Sequence, residues 1–81
     1  MRVHIEGYTT LTGTPAAILR VMQDARIFDN LAGDKLIDEI RHTAWRCFGV
    51  SLNVTGETYS DRAESLLREM EKSGMMRIEE D

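Results

Sequence analysis

A chain of 81 residues, 42% hydrophobic and 30% charged, makes one globular domain over 1–81, and folding at this size buries roughly 60–65% of the unfolded surface. That suffices for a core but not for a core plus a deep substrate chamber, and the composition is too apolar for a disordered chain. The net charge of −4 opposes non-specific binding to DNA or RNA while leaving a basic groove on another protein open as a target.

Met1 to Thr12 alternates with a period of two. Val3, Ile5, Gly7, Thr9 and Leu11 share one phase, and Arg2, His4, Glu6, Tyr8 and Thr10 the other, as in a half-buried strand. Gly7 marks either a bulge or a turn that splits the stretch into a hairpin. MRVHIEGY has no apolar run, so no signal peptide is expected, and no stretch approaches the ~20 apolar residues of a membrane span. Thr14 and Pro15 then start a helix as N-cap and first helical residue. To about Asn30 it is expected to turn Ala17, Ile18, Val21, Met22, Ala25 and Phe28 inward. Leu19 and Ile27 fall off that stripe, which implies either a helix clasped on two sides or a partner surface.

The stretch DKLIDEIRHTAWRCFG, Asp34 to Gly49, predicts a second amphipathic helix after the short 30–33 connection. At about 100° per residue, Leu36, Ile37, Ile40, Ala44, Cys47 and Phe48 share a broad stripe. Lys35, Asp38, Glu39, His42 and Arg46 lie opposite. Asp34 is expected to cap its start and Gly49 to close its end in the left-handed region. Val50 to Thr55 alternates without a break and predicts a strand ended by Gly56. A third helix from about Ser60 or Asp61 to Ser73 buries Ala63, Leu66, Leu67 and Met70, with Glu64 and Arg68 paired four apart on its outer side. Gly74 leads into a short last strand over Met75 to Glu79 and an acidic tail. The predicted fold is α+β: a three-stranded, mainly antiparallel sheet packed by three helices in the order β-α-α-β-α-β.

Signals for chemistry are thin. Cys47, the one cysteine, has no disulfide partner in the chain and reads as a small core residue, which fits a reducing, cytoplasmic compartment. His42 and Cys47 point about 140° apart on their helix, and no CxxC or HExxH spacing occurs. The six glycines are scattered singly, so no phosphate loop is present. No catalytic residue, metal or cofactor is expected, and the chain reads as a non-enzyme.

Trp45 carries more. It falls roughly 120° from the centre of the second helix's buried stripe, beside Asp38, Arg41 and His42. Two placements stay open: a ring folded onto the core boundary, or an exposed interface anchor. With Leu19 and Ile27 these residues motivate a partner-binding surface or a homodimer. Charge adds a second candidate, because residues 50–81 hold eight acidic and four basic groups and so carry the whole net charge. Glu69 and Glu71, with Glu79 and Glu80, are the residues by which this third would mimic nucleic-acid charge and block a basic groove on a nucleic-acid-binding effector.

Two resemblances bear on function. AESLLREMEKSGMMRIEE, Ala63 to Glu80, resembles the last helix and strand of a winged-helix domain, whose recognition helix often ends as LxxxEKxGxI; this implies a DNA-binding transcriptional regulator. The helix it would lay on DNA is acid-rich (Glu64, Glu69, Glu71), which makes this the alternative reading. The opening MRVHIEG followed by a TP-initiated helix is similar to the openings of small accessory proteins of phages and other mobile elements, some of which inhibit host defence by binding an effector. That resemblance implies an interaction role. The expected function is a small protein-binding inhibitor or regulator, anti-CRISPR-like, that occludes a surface of its partner.

Overall fold

The computed structural model describes residues 1–5, 9–24 and 33–79. The expectations for Gly7, Ala25, Ile27, Phe28, residues 30–32, Glu80 and Asp81 lie outside them. Among the described residues the fold is α+β, a three-stranded antiparallel sheet with three helices. Strand β1 (Arg2–His4) is central, with β2 (Thr10–Thr12) on one edge and β3 (Arg77–Glu79) on the other. The period of two places Val3 opposite both Leu11 and Ile78, and this row is the sheet's contribution to the core. Helices α1 (Pro15–Asp24), α2 (Asp34–Phe48) and α3 (Tyr59–Lys72) supply the rest. None of them is long and apolar enough to cross a membrane.

The element order is β-β-α-α-α-β, which corrects the expected β-α-α-β-α-β at two places. The N-terminal stretch is two paired antiparallel strands, the hairpin of the two readings left open for it, and so contributes two strands where the expected order counted one. Val50–Thr55 is not a strand, although its alternation is real: Leu52 is buried and Val50 and Val54 pack on the core, while Ser51, Asn53 and Thr55 face out. The reason lies at the segment's two backbone edges. Toward α2, Val50 N–H donates to the Ala44 carbonyl (3.1 Å) and the Leu52 carbonyl accepts from Arg41 Nε (3.0 Å). Toward α3, the Asn53 and Thr55 amides donate to Glu69 Oε1 (3.1 Å) and Ser65 Oγ (3.0 Å). Helix groups occupy the positions where a neighbouring strand would have to pair.

The helix ends follow local chemistry. Thr14 Oγ1 accepts from the Ala17 amide at 3.2 Å, and Thr58 does the same for Asp61 at 3.1 Å, so α3 starts slightly earlier than its apolar stripe suggests. Gly33, not Asp34, is the N-cap of α2. Asp34 is instead the first helical residue, and its carboxylate accepts from Arg62 Nε and Nη2 of α3 at 2.8 and 3.1 Å. Gly49 closes α2 at φ 67°, a left-handed conformation that a Cβ disfavours.

Two burial expectations are corrected. In α1, Leu19 is fully buried, whereas Val21 is 46% exposed and Ala17 is exposed as well, the reverse of the single-stripe reading. The helix packs on α3 and on β2, so its buried surface is wider than one stripe and takes in Ile18, Leu19 and Met22. In α2, Leu36, Ile37, Ile40 and Ala44 are buried, but Cys47 and Phe48 are exposed. Beyond Gly49 the chain doubles back along α2, tied at Ala44 and then at Arg41, so the covering segment ends where Ala44 is reached and the final turn overhangs.

The outer face of the sheet is polar and bridged. His4 on β1 reaches Thr10 Oγ1 of β2 through Nδ1 (2.9 Å) and Glu79 Oε2 of β3 through Nε2 (2.7 Å), and Arg2 lies 3.6 Å from the other Glu79 oxygen. The hydrogen bond from His4, with the charges of Arg2, His4 and Arg77, holds the Glu79 carboxyl below its usual range. Because its folded-state pKa lies below the unfolded one, this contribution is present above the ordinary carboxylate range and is lost as pH falls through the folded pKa. Thermal melts at about pH 7 and about pH 3 should therefore show a smaller acid loss for Glu79→Gln than for the parent chain. Equal losses would remove Glu79 from the acid response.

Candidate functional site

Asp38, Arg41, His42 and Trp45 recur at i, i+3, i+4 and i+7 along α2, which places them on one exposed face opposite Ile37, Ile40 and Ala44. With Ser51 and Leu52 they line a shallow cleft of about 320 Å³. Its far wall is the returning segment, and Arg41 fixes that wall through its hydrogen bond to the Leu52 carbonyl. The indole of Trp45 is 64% exposed at the mouth, and Phe48, one turn further on, is 67% exposed. Of the two placements open for Trp45, the structure has the exposed one.

The other sequence-derived candidates do not join this site. Leu19 is fully buried against α3 and the sheet side of the core, which corrects its assignment to a contact surface. Ile27 lies outside the described residues. Glu69 accepts from the Asn53 amide and pairs with Lys72 Nζ at 3.0 Å, and these contacts, Lys72 first, hold its carboxyl below the usual range. Glu71 Oε2 accepts from the Ile78 amide at 2.8 Å and so ties α3 to β3. Both acids are in structural use within the chain.

A second, larger groove of about 750 Å³ runs along the outer side of α3. Glu57, Asp61, Glu64 and Glu69 line it with Arg68 and Lys72, an excess of negative charge, and its walls are mostly polar, open to solvent and lack an aromatic anchor. Size alone favours it; chemistry for binding another protein favours the α2 cleft, where an indole sits among mixed charges. Among the described residues, no three of His, Cys, Asp and Glu gather into a cluster that could hold a metal ion.

Sequence reasoning missed Phe48 and Cys47 as surface residues, and Ser51 and Leu52 as the opposing wall. One signal was present: Gly49 ends the helix only one turn past Ala44, where little cover is left for a terminal turn. No protein-family model matches the chain, and no curated protein or solved structure matches it either.

Proposed function

We propose that this chain is a non-enzymatic protein-binding module that uses the outward face and overhanging end of α2 to occupy a surface on a partner protein, as an inhibitor or regulator of the mobile-element kind does. One observation carries the reading: two large aromatic side chains, Trp45 and Phe48, stand three residues apart on the same helix and face water. Single exposed apolar residues are ordinary, but an adjacent Trp and Phe flanked by Arg41, His42 and Asp38 have the composition of an interface centre with a polar rim. Charge mimicry by the acidic third is the less supported mode, because Glu64, Glu69, Glu71 and Glu79 each already accept from a group of the same chain.

The test is capture from the native cell with the parent chain and with a Trp45→Ala/Phe48→Ala double variant as baits. Both sites are exposed, so the variant should fold normally yet bind the captured partner at least about 30-fold more weakly, the loss expected of hot-spot truncation. Undiminished capture by the variant would sink the reading.

A further inference from the structure

Resting on that reading, we infer that a second copy of this chain is a partner of the α2 face, packed antiparallel about a two-fold axis at His42. The argument begins with charge. Two chains of net charge −4 repel, and most of that repulsion comes from residues 50–81, whereas α2 balances Asp34, Asp38 and Glu39 against Lys35, Arg41 and Arg46. The α2 segment is therefore one on which two copies can meet without adding to that repulsion.

The order of those charges is also self-complementary. Asp38, His42 and Arg46 are exposed and spaced by four, so they form one ridge running acid, imidazole, base. When two such ridges run antiparallel with the two His42 side chains at the axis, Asp38 of each copy stands opposite Arg46 of the other. An isologous pair satisfies both ion pairs by one symmetry operation. The neighbouring row, Arg41 and Trp45, meets its own copy on the same flank. Each indole then lies over the Asp38–Arg41 turn opposite, where a guanidinium can face its ring and a carboxylate can accept its N–H. A helix of 15 residues is about 22 Å long and offers one face, which puts the contact at the small end of specific interfaces. The dimer is accordingly a weak, concentration-dependent one.

Sedimentation over about 1 μM to about 1 mM tests this, a range that spans weak association. The parent chain should pass from monomer to dimer. Asp38→Arg alone and Arg46→Asp alone should each raise the dissociation constant at least about tenfold, and the double exchange should return it to within about threefold of the parent. Rescue by the double exchange excludes misfolding as the cause of the single losses, and circular dichroism checks each variant. A chain that stays monomeric throughout, or a dimer indifferent to the reversals or not rescued by the exchange, would overturn the proposal. Monomeric parent chain together with loss of capture by Trp45→Ala/Phe48→Ala would remove self-pairing and leave the protein-binding reading in place. A charge-responsive dimer whose aromatic variant keeps every other partner would do the opposite.

Discussion

Leu19→Ala should destabilise the chain by about 2–5 kcal/mol, whereas Val21→Ala, two residues on, should change stability by no more than about 1 kcal/mol. Leu19 is fully buried in the cluster that includes Ile18, Leu66 and Leu67, so truncation leaves a cavity lined by side chains that cannot all collapse into it. Val21 is nearly half exposed and has already kept much of its contact with water. Urea unfolding monitored by circular dichroism measures both. For a single domain this small such a loss is a large share of the total stability, so Leu19→Ala should be partly unfolded at ambient temperature. Comparable costs at the two positions would mean that α1 does not present the face described.

Gly56→Ala should be as damaging, for a different reason. Gly56 has φ 138°, a conformation that L side chains rarely adopt, and an added Cβ would lie 2.7 Å from Asp61 Cβ and 2.9 Å from both the Arg62 nitrogen and the Asp61 carbonyl carbon. Those atoms belong to the first turn of α3 and cannot swing aside as a flexible side-chain tip would. The turn is also tied down from its far side. Arg62 Nη1 donates to the Gly56 and Glu57 carbonyls at 3.5 and 3.1 Å while the same guanidinium holds Asp34 of α2. Relieving the clash therefore shifts the α2–α3 contact as well. We expect a cost of about 3 kcal/mol or more, a drop in melting temperature of at least about 12 °C for a domain of this size. Gly49→Ala is the control: φ is 67°, but nothing lies within 4 Å of the added Cβ, so its cost should stay near about 1 kcal/mol. Equal melting temperatures for the two variants would show that the approach to Asp61 is not fixed.

What could be read from the sequence was mainly which side chains point inward. The alternation at Val3 and Leu11, the stripe from Leu36 to Ala44 and the Ala63–Met70 row all hold in the structure. Val50–Thr55 shows the limit of such reading. Periodicity tells which side of an extended segment is buried, but strand formation depends on what meets its backbone edges, and here Arg41, Ser65 and Glu69 arrive from distant turns of α2 and α3. Of the two explanations open for Leu19, the structure has the helix clasped on two sides, by α3 and β2, and not the partner surface; a helical wheel shows that a residue lies off the main stripe but not what covers it there. Cys47 and Phe48 were misplaced because a helical wheel carries no information about where the covering layer stops. The same wheel did gather Asp38, Arg41, His42 and Trp45 on one face, since neighbours at three and four residues on a helix need no tertiary knowledge. The wall formed by Ser51 and Leu52 required the fold.

Trp45 is the only tryptophan of the chain, so its fluorescence reports on the central claim directly. In dilute solution the emission should lie near that of indole in water and be quenched by iodide or acrylamide almost as readily as free tryptophan. Binding of a partner protein should then shift it to shorter wavelength and protect it. Short-wavelength, quencher-resistant emission from the dilute monomer would mean that the chain covers its own indole, and α2 would then have no anchor to offer.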